Sequence, residues 1–545
     1  MVHMLQNPKS HIGIFLLLVS ILIAPSADAL DSLGLIGTVT GEVSGDQFGV
    51  AVAGNGDVNK DGYPDLLIGA SANDAGGNAA GKAYLHFGGP SFNDVPDWVC
   101  LGRSGDFLGS SVAIVGDVNN DGFDDVLVGA PFNSDLGTQT GKAVLFFGGN
   151  PMDTVADLVF YGQRALDQFG AAVAGLGDIN GDGYADWAIG AFKADAGAQT
   201  DIGKVCVYLG GPAPNAVPDL TIIGKADGER FGCAIGKVGR FDGDSYGDFV
   251  VGAYGYDDAL KTNIGRAYVF RGGNPPDTIA DWIMTGENGH DYFGYSVAGV
   301  GDVNGDSFDD ILVGAKGYDF GLYIDAGKVY MFLGGALPDN IADFTDAANQ
   351  DNDDQYGFAV SGAGDLDADG RSEFLVGADC DSSDGTATGK VYLYRGMTPP
   401  PFPRDTTLKG ATTGSRFGNA VASMGSMIDH LHGAFAVGAV DYSAARGRVY
   451  IYGSIDTAGV ADCECPSQGD VNPDGVVDVF DVIQEIAIAF SGGTDFTDPG
   501  CPTSRGDVNN DTVVDVFDVI QIIAVAFSGG SVCNPCTPGV PAGCP

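Results

Sequence analysis

An aromatic–glycine pair returns seven times along this 545-residue chain, and its spacing limits what the chain can fold into. The pairs are Phe48-Gly49, Phe107-Leu108-Gly109 (one residue looser), Phe169-Gly170, Phe231-Gly232, Phe293-Gly294, Tyr356-Gly357 and Phe417-Gly418, at intervals of 59, 62, 62, 62, 63 and 61 residues. Each pair leads into an apolar stretch, an acidic loop and a strand-like run that closes on Gly-Ala, from Gly69-Ala70 through to Gly438-Ala439. The interval from the glycine that opens each acidic loop to the closing glycine is thirteen residues in all seven copies. A variable Gly/Asp/Thr-rich loop follows, and then Gly-Lys or Gly-Arg opens a further strand, as in Gly81-Lys82.

Each copy therefore offers four short strands, the fourth being a run such as Trp98–Leu101 or Leu220–Ile223. Helical periodicity is absent, and β-branched, aromatic and turn residues dominate. Sets of four short strands repeated seven times read as the blades of a mainly β, seven-bladed β-propeller, because radial repetition protects sheet edges. The propeller is expected over residues 30–454. A lone fourth-type strand near Leu33–Gly37 and a final third-type strand at Val449–Tyr452 imply that both chain ends complete the seventh blade.

The acidic loops carry oxygen donors at positions 1, 3, 5 and 9, with a backbone carbonyl at 7 and, in the first, Gly62 at position 6 for the sharp bend, which suits a hard cation seeking six to eight oxygens. The first loop supplies Asp57, Asn59, Asp61, the Tyr63 carbonyl and Asp65. The second supplies Asp117, Asn119, Asp121, Phe123 and Asp125, and the third Asp178, Asn180, Asp182, Tyr184 and Asp186. The fifth supplies Asp302, Asn304, Asp306, Phe308 and Asp310, and the sixth Asp365, Asp367, Asp369, Arg371 and Glu373. Asp-Asn-Gly clusters also make plain turns, but five in register favour Ca2+, about five ions in the propeller. Magnesium gives up its water too reluctantly for an all-protein cage. The fourth loop has Arg240 at position 1 beside Asp242, Asp244 and Asp248, so an internal salt bridge from Arg240 is expected to replace the ion. The seventh, with Ser426, Ile428, His430 and Ala434, cannot hold one.

A formal charge of −46, from 72 acidic against 26 basic residues, excludes general binding to nucleic acid or anionic lipid. With 44% hydrophobic residues the chain is not composed like a disordered one. Residues 1–29 read as an export signal: Lys9, an apolar run from Ile12 to Ala24, and Ala27-Asp28-Ala29 as cleavage site. That run is shorter than a membrane span, so a secreted, extracellular product is expected, cell-surface attached at most. Six of ten cysteines (Cys463, Cys465, Cys501, Cys533, Cys536, Cys544) crowd the last 83 residues, where disulfides are expected with pairing left open. Cys100, Cys206, Cys233 and Cys380 read as small buried apolar residues.

The Phe-Gly … Gly-Ala-(Pro) frame, completed once by Ala130-Pro131, resembles the FG-GAP repeats of the integrin α-subunit propeller over roughly residues 33–454. The resemblance implies calcium in the hairpin loops between first and second strands on the lower face, and ligand on the opposite face. Loops 131–140, 192–202, 254–264 and 316–326 gather there, and Tyr254, Tyr256, Tyr318 and Tyr323 mark blades four and five as a candidate surface.

After a linker at 455–468, a second repeat begins with an offset of 37 residues. Its loops are Asp470, Asn472, Asp474, Val476, Asp478 and Asp481, and Asp507, Asn509, Asp511, Val513, Asp515 and Asp518, each ahead of an apolar helical stretch. Donors at 1, 3, 5, 9 and 12 form an EF-hand-like loop, for two further Ca2+ ions. The pair, over 469–530 and followed by a Cys/Pro/Gly-rich tail at 531–545, resembles the dockerin family of secreted bacterial proteins. That resemblance implies a small α-helical module that docks a cohesin-like partner through Val479-Phe480 and Val516-Phe517. The alternative is a module packing those pairs on the chain itself. Arg505-Gly506-Asp507 spells an integrin ligand, but Asp507 is committed as a metal ligand.

No zinc, nucleophile-elbow or phosphate-loop motif points to catalysis. The expected function is calcium-dependent adhesion or recognition of a protein or glycan on the upper face. The competing class is a carbohydrate-active enzyme, a polysaccharide hydrolase or lyase, with parts of a site drawn from Arg103, Arg164, Glu229, His290 and Asp291.

Overall fold

The computed structural model describes residues 33–455 apart from 90–91, 348–352, 384 and 428–430. The expected export segment, the paired C-terminal loops and the tail lie outside the described residues. Strand β1 (Leu33–Thr40) comes first. Blade one follows with β2 (Phe48–Ala53), β3 (Leu66–Ala70), β4 (Lys82–His86) and β5 (Trp98–Leu101). Blade two has β6 (Ser111–Gly116), β7 (Asp125–Ala130), β8 (Lys142–Phe146) and β9 (Leu158–Tyr161). Blade three has β10 (Ala172–Gly177), β11 (Asp186–Ala191), β12 (Lys204–Tyr208) and β13 (Leu220–Ile223). Blade four has β14 (Ile235–Gly239), β15 (Asp248–Ala253), β16 (Arg266–Phe270) and β17 (Trp282–Thr285). Blade five has β18 (Phe293–Gly301), β19 (Asp310–Ala315), β20 (Lys328–Phe332) and β21 (Phe344–Ala347). Blade six has β22 (Ala359–Gly364), β23 (Glu373–Ala378), β24 (Lys390–Tyr394) and β25 (Arg404–Lys409). Blade seven has β26 (Phe417–Gly425), β27 (Leu431–Ala439) and β28 (Arg448–Ile455), and β1 is its fourth strand.

Each blade is an antiparallel sheet in sequence order, except that blade seven runs β26-β27-β28-β1. Leu35 pairs with Tyr452 and Thr40 with Arg448, so the two ends of the described chain share one sheet. The first strands touch in a closed circuit, β2-β6-β10-β14-β18-β22-β26 and back to β2, which makes the molecule a seven-bladed β-propeller. The second strands, such as Asp125–Ala130 and Asp310–Ala315, are buried at every position, which is why they read as continuous apolar runs without alternation. Seven apolar clusters fill the seven gaps between blades. Trp187 stacks on Tyr208 at 5.4 Å in one of them, with Phe160 of blade two edge-on at 4.7 Å from Tyr208.

The motif glycines mark the seam between blades. The closing glycine of each Gly-Ala lies under the carbonyl of the next blade's aromatic–glycine pair. A Cβ on Gly190 would sit 2.2 Å from the Gly232 oxygen, one on Gly314 2.1 Å from that of Gly357, and one on Gly438 2.3 Å from that of Gly49. The last contact closes the ring. The glycine that opens each third strand meets the aromatic itself: a Cβ on Gly203 would lie 2.1 Å from the Phe231 oxygen, and one on Gly447 2.0 Å from that of Phe48. Blades therefore stack backbone on backbone, and no side chain fits there.

In blade two the aromatic position belongs to Leu108, not Phe107. Leu108 is 2% exposed and bridges Gly81, as Phe169 bridges Gly141. Phe107 occupies the preceding turn with φ of 52°, the place held by Gln47 and Gln168 in neighbouring blades. Of the scattered cysteines Cys100 and Cys206 are buried as expected, whereas Cys233 and Cys380 are half-buried.

Gly190→Ala is expected to destabilise the propeller by about 3 kcal/mol through backbone overpacking, while Gly211→Ala, with nothing within 4 Å of the new Cβ, should stay within about 0.5 kcal/mol; denaturant titration of both variants checks this. His86, 1% exposed, holds a slot that blades two, four and five fill with Phe146, Phe270 and Phe332. Burial pulls its imidazole down to about 4, against the opposing pull of Asp97 and Asp94. The folded state thus favours neutral His86; that preference supports the fold above pH ~6.5 and is lost as pH falls toward 4, at a cost of about 2–3 kcal/mol. Melting curves from pH 7 to 4 should show this acid-side loss reduced in His86→Phe.

Candidate metal centres

Each acidic loop joins the first strand of a blade to its second and is built by the backbone around its own carboxylates. In blades two to seven the glycine opening the loop sits at a β-bulge with positive φ, for instance Gly177 at 74° and Gly301 at 75°, which turns the chain off the sheet. The acidic residue at position 9 starts the second strand, or in blade one immediately precedes it, and staples the loop to the end of the third. Asp65 accepts the Val58 N–H at 2.7 Å and the Gly88 N–H at 2.9 Å. Asp125, Asp186, Asp310 and Glu373 accept the corresponding pairs from Val118 and Gly148, Ile179 and Gly210, Val303 and Gly334, and Leu366 and Gly396.

The remaining donors are held by loop amides. Asp57 accepts the N–H groups of Asp61 and Gly62 at 3.0 and 2.9 Å, Asn59 that of Asp61 at 2.9 Å, and Asp61 that of Tyr63 at 2.9 Å. The same pattern recurs at Asp117, Asn119, Asp121 and Phe123; at Asp178, Asn180, Asp182 and Tyr184; at Asp302, Asn304, Asp306 and Phe308; and at Asp365, Asp367, Asp369 and Arg371. Carboxylate oxygens of Asp365, Asp367 and Glu373 lie within 4.8 Å of one another. Burial, reinforced by the other loop carboxylates, pushes Asp65 and Asp186 up to about 7 and Asp125, Asp310 and Glu373 up to about 8, despite the amide hydrogen bonds that oppose it. An all-oxygen loop with this much unrelieved negative charge fits a hard divalent cation. Loops of adjacent blades are tied as well, since Asp124 of blade two accepts the Asp57 N–H at 2.8 Å.

Blade four departs from the expectation. Arg240 is exposed and meets Asp309 of blade five through its backbone, donating its N–H to the carboxylate at 2.7 Å and accepting the Asp309 N–H on its carbonyl at 3.2 Å. The guanidinium on the carboxylates is that of Arg271, which pairs with Asp242 and lies 3.3 Å from Asp244. Arg271 follows the third strand, where other blades carry Phe87, Phe147, Leu209 and Leu333. The signal was in the repeat, but 29 residues from Asp242 and 27 from Asp244. Blade six carries Arg395 at the same place, its Nε 3.8 Å from Asp367 while its Nη2 holds Asp405 at 3.0 Å.

The residues named for a catalytic site are each engaged separately. Glu229, fully buried, accepts the Ala226 N–H at 2.7 Å and the Tyr268 hydroxyl, and Asp291 accepts the Asn288 N–H at 2.7 Å. Arg103 faces Asp135 at 3.7 Å, Arg164 donates to the Asp195 carbonyl at 3.1 Å, and His290 meets Thr262 at 3.1 Å. Of the four tyrosines, Tyr256 covers Arg266 at 3.5 Å, Tyr318 lies 4.8 Å from the Lys328 ammonium, and Tyr323 bridges Phe320 within its loop. Tyr254 alone joins a larger cluster near the axis.

Arg271→Leu is expected to cost about 1–2 kcal/mol, because Asp242 and Asp244 lose their counter-charge while the half-exposed arginine limits the loss. Adding Arg240→Asp to it should recover that stability only in calcium; thermal melts with and without chelator check both steps.

Comparison with known proteins places the ring. The FG-GAP repeat family matches residues 48–86, 108–146 and 293–332. The chain is 35% identical over 196 residues to integrin alpha-5 of Xenopus laevis, covering 34% of this chain and 17% of that protein. It is 32% identical over 222 residues to integrin alpha-PS2 of Drosophila melanogaster (38% and 15%) and 32% identical over 223 residues to integrin alpha-V of Gallus gallus (39% and 20%). The matched part is thus a fifth or less of those relatives' own length. This ring is an FG-GAP repeat β-propeller related to integrin alpha subunits.

Proposed function

We propose that this chain is a secreted, calcium-binding recognition protein whose upper propeller face engages a protein or glycan ligand. The observation that carries the reading is the fivefold recurrence of one oxygen-lined loop, in the blades that start at Phe48, Leu108, Phe169, Phe293 and Tyr356. Each would take one Ca2+, through the residues at positions 1, 3, 5 and 9 and the carbonyl at 7. In blade four Arg271 supplies the positive charge instead. The ions would stiffen the lower rim by joining each first-to-second hairpin, leaving the opposite face for the ligand.

The kinship to integrin alpha subunits supports adhesion or recognition, and no described helix is long and apolar enough to cross a membrane. Residues 469–530 would add two further Ca2+ ions and act as a dockerin-like plug into a cohesin-type or surface partner through Val479, Phe480, Val516 and Phe517.

Metal analysis of a chain ending at residue 454 is expected to give five calcium ions, and a saturated value below four would overturn the assignment. Chelation should lower its melting temperature. Affinities near those of other extracellular calcium modules, about 0.1–1 mM, are expected. Capture by the isolated 463–545 fragment, with and without chelator, tests the plug.

A further inference from the structure

The repeat lets the chain serve as its own comparison, because equivalent positions stand at equivalent points round the axis. At the upper end of the first strands, blades one to three place Val50, Ser110 and Ala171, and at the upper end of the second strands Ser71, Pro131 and Phe192. Blades four to seven place Tyr254, Tyr295, Lys316, Phe358, Asp379 and Arg416 at the corresponding positions. The axial rim is therefore lopsided: in blades one to three Phe107 and Phe192 are aromatic at these positions and none is cationic.

The cluster is continuous. Tyr254 and Tyr295 have ring centroids 5.4 Å apart, and Tyr295 and Phe358 are 5.3 Å apart. The Lys316 ammonium stands 3.8 Å from the Tyr295 centroid and 4.9 Å from that of Phe358, and the Arg416 guanidinium lies 5.7 Å from Phe358. Arg416 is paired with Asp379, whose side chain is fully buried. Arg230 extends the row, 5.1 Å from the Tyr254 centroid with its Nη1 donating to the Tyr254 hydroxyl at 3.0 Å.

Lys316 is the telling member. In a chain with 72 acidic residues, it forms no ion pair among the described residues and rests on two aromatic faces. Burial lowers its pKa, so its charge is held at a cost that an incoming anion would relieve. Lys316 and Arg416 both act on Asp379, which Arg416 already pairs, while Asp325 acts on Lys316 and Asp441 on Arg416. The half-buried Lys316 ammonium is the cation left without a paired carboxylate among the described residues. Tyrosine rings and hydroxyls beside it supply flat apolar area and hydrogen-bonding groups together, a combination suited to a sugar ring.

We propose that this cluster seats an anionic saccharide, Lys316 and Arg416 taking a uronate carboxylate or a sulfate ester while Tyr254, Tyr295 and Phe358 meet the ring. The proposal rests on the recognition reading above and names its ligand class. Calorimetric titration of the calcium-loaded full chain with trigalacturonate, a sulfated galactose trisaccharide and the neutral galactose trisaccharide tests it and separates the two anion sources. One or both charged sugars should bind at least about tenfold tighter than the neutral one, with affinity falling as salt rises. Lys316→Gln should lose about tenfold and Lys316→Arg should retain binding; if Lys316→Gln does not fold, Arg230→Gln is expected to weaken binding about threefold. Equal binding of the neutral sugar, an unchanged Lys316→Gln, or binding of hexaglutamate in place of either charged sugar overturns it. Binding to other ligands on a glycan or matrix array, with neither charged trisaccharide recognised, overturns this site and leaves the recognition reading standing; an array with no ligand at all counts against both.

Discussion

Backbone contact between neighbouring blades is the constraint on which the structure depends. Gly190 beneath Gly232, and Gly203 against Phe231, bring two sheets closer than any Cβ allows. The aromatic that follows the turn then drops into the gap between blades, as Phe231 does beside Tyr268 at 5.4 Å. Aromatic, glycine and Gly-Ala recur together because they are three parts of one contact. In this ring every interface repeats the same backbone contact, so a bulky residue at one seam would push two blades apart.

The acidic loops depend on that seam in turn. Closure sets the hairpins side by side on the lower face, where Asp124 of one loop can hold the Asp57 amide of the next. Position 9 does two jobs. Asp248 of blade four keeps its amide hydrogen bonds to Phe241 and Gly272 at 3.0 and 2.9 Å, although position 1 of that loop is arginine. Stapling the loop and supplying an oxygen to a cation are therefore separable, and a blade can give up the second and keep the first. Arg271 is how blade four balances the charge that remains.

The upper face follows the opposite logic. Nothing in the seam requires a particular side chain at the upper end of an inner strand, so these positions are free to differ between blades. Blades four to seven use that freedom to gather three cations and a row of aromatics in an otherwise strongly acidic molecule. Two residues further along the same loops, Tyr256 and Tyr318 stand at equivalent points of blades four and five and cover Arg266 and Lys328.

The residue order determined the number of blades, the four strands of each, the span of the acidic loops and the pairing of Leu33–Thr40 with the last described strand. All of these are periodic, and a period of about sixty residues survives in one dimension. What only the tertiary structure decided were contacts between residues far apart in the repeat. Leu108 rather than Phe107 takes the aromatic slot because the bridge to Gly81 fixes the register. Arg271 rather than Arg240 meets Asp242 because the third strand returns beside the loop, whereas Arg240 points its backbone at blade five. The axial cluster joins residues from four blades that share no local pattern. Such cross-blade groupings exist only once the ring has closed, since closure is what turns equal positions in the repeat into neighbours in space.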